Sequence, residues 1–443
     1  MKRTETDGWQ PRNQEVAATE TAHDGEFHDP WWLPGSPRAG AALAEAARLT
    51  ALAANIHRKR GRRETDQRRF ERQVAAYVCD LWRRETAGLD DVIIVSRAKR
   101  SLEAAKCRYD HSELTGSARD VQDALNESGL CEMTLGEWGG SKGQGRRTTL
   151  AATSRLRALL PEANTTDFVR DPAEEVIVLR SQKGDTTGED WTREKPGDLI
   201  EYQDNADTRK MRNDLRTINA HLEKADIVLD EGVLETFTKN RFHSSSRRLY
   251  RIFANGRFDN GGRLYRGFWI ELPSASRHEV LQIDGDAITI LDYGQMSTRL
   301  AYAKVGVKPP DGDLYAVPGI ANWQREGAKK LINAAFFSSA PITRRPRGTT
   351  KLLPNGHIAD LMAALKQAHA PITALFENGE GLRLQRLESD IMVEVLLRLI
   401  DAGITALPIH DAVIVGERHS RKAEAVMKDV FREMAGVEGV VSA

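Results

Sequence analysis

Apolar residues recur along this chain at two spacings, and the change from one to the other separates helical from extended stretches. Met211, Leu215, Ile218 and Leu222 fall at i, i+4, i+7 and i+11, a single stripe on a helix expected over 207–224. The same period runs through Val74, Tyr77, Val78 and Leu81, giving a helix over 70–83. It returns in Ile391, Val395, Leu396 and Leu399, and in Ala423, Val426, Val430 and Phe431 of the last helix. An alanine-rich helix is expected over 41–56, and Ser117 reads as the cap of a helix over 117–128. Short apolar or alternating runs predict strands over 92–95, 130–135, 147–152, 176–179, 289–293 and 407–415. A glycine-rich basic loop from Gly139 to Arg146 joins the second and third of these as a hairpin. Residues 1–37 show no period and read as a flexible tail, and 184–196 as a polar loop.

Helices and strands mixed without regular alternation indicate an α+β protein. Over 69–160 the order helix, short strand, helix, basic hairpin suggests a winged helix-turn-helix module. Such a module docks on a duplex with a helix in a groove and the wing, with Lys142, Arg146 and Arg147, on phosphate. A small interaction domain of the same shape is the alternative. Residues 241–265 interleave arginines with rings, a composition suited to a nucleic-acid track.

The chain has 443 residues, too many for one ordinary domain. A tail over 1–40, a winged-helix-like nucleic-acid-binding domain over 41–160, a linker and thumb-like helical region over 161–240, and a catalytic domain over 241–443 are expected. The 64 basic residues balance the 64 acidic ones, so any affinity for nucleic acid comes from local clusters such as Arg58 to Arg63. Cys79, Cys107 and Cys131 lack zinc spacing and read as free thiols. No apolar run reaches the ~18 residues of a membrane span, so no membrane partner is expected and a cytoplasmic location is. Nothing in the pattern fixes an oligomeric state.

The chemistry sits in the last two hundred residues. Asp292 ends one predicted strand, Asp411 interrupts another, and between them a helix carries Arg325 and Lys329 at i, i+4, on one face. Two carboxylates suffice for Mg2+, or Mn2+ in its place, because such ions take few protein ligands and complete their shell with substrate oxygens. The peptide carbonyl of Tyr293 is a further candidate ligand. Two such ions activate an attacking hydroxyl and stabilise departing pyrophosphate, and the two cations grip a triphosphate. Asn333 shares the helix face and is expected near the sugar, and Phe337 can stack on the incoming base. Singly, each block has an ordinary reading as a strand end or solvated helix face. Their order and spacing argue for the functional one.

These blocks resemble the palm and fingers of family A DNA polymerases and of phage-type single-subunit RNA polymerases. Asp292-Tyr293-Gly294-Gln295-Met296-Ser297-Thr298-Arg299 keeps the Asp, Tyr, Gln and Arg of the first motif, with Gly294 in place of Ser. Arg325, Lys329 and Phe337 occupy the second motif, Phe replacing Tyr. His410-Asp411 matches the third, with Ala412 where many DNA polymerases carry Glu; Gln385 and Asp390 match an element before it. Gly261-Gly262-Arg263-Leu264-Tyr265 is similar to an element that precedes the first motif in the RNA polymerases. The likeness covers roughly 241–436 in reduced form. It implies a right-hand palm with short helical fingers, a DNA template and primer with RNA as the alternative, and dNTP or NTP substrates. It also implies roles for Gln295 and Ser297 at the nucleotide and for Arg263, Tyr265, Arg299, Gln385 and His410 at the nucleic acid. DNA synthesis with relaxed sugar selectivity is the expected activity. A primase or small RNA polymerase, and a non-catalytic DNA-binding regulator, are the alternatives.

Overall fold

The computed structural model describes residues 26–56, 58, 60–86, 88, 92–104, 106–137, 145–182, 197–238, 242 and 244–443. The protein is α+β, in two compact units that meet in sequence at Glu175 and Val176.

The first unit runs β1 (Glu26–Phe27), β2 (Trp32–Pro34), α1 (Pro37–Ile56), α2 (Glu64–Thr86), β3 (Val92–Ile94), α3 (Lys99–Leu102), α4 (Ala118–Glu127), β4 (Cys131–Thr134), β5 (Thr149–Ala152), α5 (Ser154–Leu159) and β6 (Phe168–Arg170). Its main sheet has the order β1-β3-β5-β4, and β2 pairs with β6. The apolar stripe of α2 meets Val121 and Leu125 of α4 and Leu150 of β5, around a buried Trp82 whose indole N–H donates to the Leu156 carbonyl at 3.1 Å. Burying each large side chain of this cluster contributes about 1.5–3 kcal/mol. Cys79 and Cys131 are buried free thiols and Cys107 is half-buried.

Two expectations are corrected here. Residues 26–36 are not tail: buried Asp80 accepts from the Asp29 amide at 2.8 Å and pairs with His28 at 3.1 Å. The Trp32 ring lies 4.6 Å from both the Arg83 and the Arg170 guanidinium. These ties join residues far apart in sequence, so no local period announces them. Residues 1–25 lie outside the described residues. Ser117 stands at the start of α4 but its hydroxyl caps nothing; it accepts instead from Gln73 at 3.1 Å, because its backbone is already helical.

The second unit runs β7 (Ile177–Leu179), α6 (Ala206–Lys224), β8 (Ile227–Leu229), α7 (Glu231–Leu234), β9 (Tyr250–Phe253), β10 (Gly261–Tyr265), α8 (Phe268–Glu271), α9 (Arg277–Val280), β11 (Leu281–Ile283) and β12 (Asp286–Tyr293). It continues through α10 (Met296–Lys304), α11 (Arg325–Phe337), α12 (Ile358–Ala368), α13 (Gly381–Asp401), β13 (Ala406–Ile409), β14 (Ala412–Gly416), α14 (Ser420–Ala435) and β15 (Val441–Ser442). The larger sheet has the order β13-β14-β12-β11-β8, with β15 also on β12; the smaller is β10-β9-β7. Helix α13 packs against α6, α10, α14 and β10, burying Leu384, Ile391, Val395, Leu396 and Leu399.

From Val176 on, the region expected as linker and thumb-like helix belongs to the second unit, with its helix packed on the core as expected. β7 hydrogen-bonds in parallel to β9, β8 edges the larger sheet, and α6 packs on α13. Asn205 starts α6 with a capping box, and the Asn219 side chain brackets the Leu249 backbone at 2.8 and 2.9 Å. Among the described residues no helix is long and apolar enough to cross a membrane.

Candidate active site

β12 and β14 run antiparallel with Asp292 opposite Ala412, while Ile409 of β13 also faces Ala412. His410 and Asp411 are therefore the two residues of a tight turn, and the Tyr293 amide donates to the Asp411 carbonyl at 3.2 Å. His410 takes the left-handed conformation that such a turn requires (φ 54°), and so does Gln295 (φ 61°) at the start of α10. Backbone of this kind gathers at functional sites. The buried Tyr293 ring packs 5.3 Å from Phe431, and its hydroxyl donates to the Met427 carbonyl at 2.5 Å. Only the main-chain oxygen of Tyr293 is thus left as a ligand.

The electrostatics draw Asp292, Asp411 and Lys329 together. Asp292 is open to solvent but sunk among protein atoms, and burial followed by the charge of Asp411 pushes its carboxyl up to about 6, with Lys329 opposing. Among the described residues no cluster of three or more His, Cys, Asp or Glu is gathered to hold a metal. A cation would rest on two carboxylates, main chain and substrate. Two hard anionic ligands that repel each other fit Mg2+, since a dication relieves that repulsion and needs few protein oxygens. Lys329 is exposed on α11 and has no intramolecular ion pair among the described residues.

Arg325, one turn before Lys329, is differently placed from the free phosphate fork the spacing suggests. Its guanidinium pairs with Asp313 at 2.6 and 3.1 Å and lies 4.9 Å from the Tyr315 ring. Asp313 also accepts from Gln295 at 2.5 Å and from the Tyr315 amide at 3.1 Å. Gln295 in turn accepts from Arg299 at 3.2 Å, so both ends of its amide are engaged within the protein. Asn333 is half-buried further along α11, Ser297 half-buried in the first turn of α10, and Phe337 half-exposed. The Phe337 ring lies where a side chain at Gly381 would be: a Cβ there would stand 2.5 Å from it.

Most of the described arginines in the expected nucleic-acid track are paired within the protein, Arg257 on the surface and the others partly or wholly buried. Arg247 donates to the Ile227 carbonyl at 2.9 Å, Arg248 pairs with Glu223 at 2.9 Å, Arg251 with Asp390 at 2.6 Å and Arg257 with Asp259 at 2.6 Å. Arg263 meets Glu388 at 2.5 Å and, with the Gln385 amide in its satisfied orientation, the Gln385 oxygen at 3.0 and 3.1 Å. Tyr265 stands edge-on to His410 at 6.2 Å. Burial, helped by the charge of Arg263, pushes His410 down to about 4, so it is neutral at pH 7.

In the first unit Arg146 pairs with Glu137 at 3.4 Å across the hairpin, and Arg147 lies 4.6 Å from the Phe27 ring. Lys142 lies outside the described residues. The outer face of α4 carries Asp120, Asp123 and Glu127 beside Arg119, and Asp123 is paired with Arg97 at 2.8 Å.

Asp313, Tyr315 and Glu388 escape sequence reasoning. Asp313 reads as an ordinary turn residue after Gly312, and Glu388 as a surface charge on a long helix. The position of Glu388 three residues after Gln385, on the same helix face, is the signal that could have found it. Comparison with protein-family models and with curated proteins matches nothing to this chain.

Proposed function

We propose that the second unit is the palm of a two-metal nucleotidyltransferase that extends a nucleic-acid strand from nucleoside triphosphates, DNA above all, with relaxed sugar selectivity. The observation that carries this reading is the meeting of Asp292, at the end of β12, with Asp411, in the turn leading into β14, under the charge of Lys329. Asp292, Asp411 and the Tyr293 carbonyl would hold Mg2+. The ions supply charge neutralisation at the attacking and leaving oxygens. Lys329 places a fixed cation where charge develops on the departing pyrophosphate, worth most in the transition state. Arg325, held in orientation by Asp313, offers a planar donor edge to phosphate. Phe337 gives an apolar face to the base, and Ser297 leaves space beside the sugar.

In the first unit, the order helix, strand, helices, hairpin with strands β3-β5-β4 adjacent supports a winged-helix reading. The acidic outer face of α4 disfavours insertion of that helix into a groove, so the wing is the part suited to phosphate. Primer and template DNA, or RNA, would be the partner.

Labelled dNTPs or NTPs offered on primed and unprimed templates test this on one gel. Primed extension with dNTPs supports the reading, and unprimed synthesis from NTPs moves it to a primase or small RNA polymerase. Binding without incorporation leaves a non-catalytic regulator.

A further inference from the structure

The second unit buries a carboxylate that the proposed chemistry does not use. Glu388 has a side chain only 1% exposed, in the middle of α13, and its one ion-pair partner among the described residues is Arg263 of β10. The contact belongs to a seam of hydrogen bonds between α13 and the strands β9 and β10. Ser389 donates to the Gly262 carbonyl, which also accepts from Arg251 at 3.0 Å, and Arg251 pairs with Asp390. Gly262 stands at φ 87°, a conformation that favours glycine, so the strand is bent to meet the helix. Beside that seam Gln385 and Glu388, at i and i+3, receive Arg263 with two acceptors from one helix face.

Arg263 keeps a 25% exposed side chain; it feels the charge of Asp411, and its own charge is felt by His410. After Glu388, the carboxylate whose charge acts on Arg263 is Asp411, the candidate metal ligand itself. Ala412, directly across from Asp292, supplies no third carboxylate. A third acid that feels both Asp411 and Asp292 is Glu388, supplied by α13 rather than by the strand.

Resting on the nucleotidyltransferase reading, we propose that Glu388 is a positioning residue: it holds Arg263 off Asp411 and fixes its open donor edge toward the end of the strand being extended. Burial pushes the Glu388 carboxyl up to about 7 and the charge of Arg263 opposes it, while Gln385 shares the contact without a charge of its own.

The test uses the full chain with a fluorescent primer–template duplex, no nucleotide present, followed by steady-state extension. Glu388→Gln is expected to weaken duplex binding and lower kcat, each about tenfold or more, as when one partner of a buried charge pair is removed, with nucleotide KM within about twofold of wild type. Glu388→Asp should recover part of the loss. Arg263→Gln/Glu388→Gln, which leaves no unpaired buried charge and so keeps the fold if Glu388→Gln does not, should be no worse than Arg263→Gln alone. Wild-type duplex affinity in Glu388→Gln or in Arg263→Gln, or losses that simply add, overturns the proposal. Should the wild type incorporate nothing, the nucleotidyltransferase reading fails, and the equilibrium binding still decides the role of Glu388.

Discussion

Asp292 bears an electrostatic cost from burial and from the charge of Asp411. A carboxyl whose folded pKa stands above its unfolded value keeps its proton longer in the folded state. Stability therefore falls as pH rises from 3.8 to about 6, and the penalty is fully present above that. Because the group is open to solvent, screening reduces the penalty to about 1 kcal/mol. Asp292→Asn should thus raise the metal-free Tm by roughly 2–4 °C at pH 7.5 and leave it unchanged near pH 3.5, measured by calorimetry. A lower Tm at pH 7.5 would mean that neither burial nor Asp411 penalises its charge. The cations separate in their kinetics. Lys329→Ala should lower kcat, and Arg325→Ala should raise nucleotide KM. Since Asp313 orients Arg325, Asp313→Ala should raise KM as Arg325→Ala does, with the double variant no worse. At the sugar, Ser297→Glu should suppress NTP use and Phe337→Tyr should raise it, read as the ratio of dNTP to NTP incorporation. A wild type that rejects NTPs despite Ser297 would put the gate elsewhere.

Elements were legible where one face repeats. Helix α6 spans Ala206–Lys224 against an expectation of 207–224, because its four apolar positions have no competing partner arrangement. β12 falls on its apolar run, but the single strand expected over 407–415 is a hairpin instead: β13 and β14 pair antiparallel and His410 and Asp411 form the turn, because the polar pair breaks the apolar run. What stayed hidden depends on contacts across the chain. Trp32 is ordered by Arg83 and Arg170, and Arg263 is turned from a solvent-facing cation into a staple by Glu388. Composition assigned the arginines of β9 and β10 to nucleic acid, whereas their carboxylate partners lie about a hundred and thirty residues away in α13. The hairpin of β4 and β5 keeps its assignment to phosphate as a proposal with its own check. Neutralising Lys142, Arg146 and Arg147 should lower the slope of log affinity against log salt for duplex by up to about 2–3, evenly across sequences. An unchanged slope would turn the first unit toward protein partners.

At the scale of the molecule, 64 positive charges cancel 64 negative ones, and many described arginines are paired within the chain. Lys329 has no ion-pair partner among the described residues, and its charge is felt by Asp292, a carboxylate that Asp411 repels. The central claim is that this juxtaposition transfers nucleotides. Its most direct test is pyrophosphate released per nucleotide added to a primed template with Mg2+, for wild type, Asp292→Asn and Asp411→Asn side by side. The account predicts one pyrophosphate per nucleotide in the wild type and loss of both signals in each variant, with the fold retained. Undiminished Mg2+-dependent incorporation in either variant would contradict it.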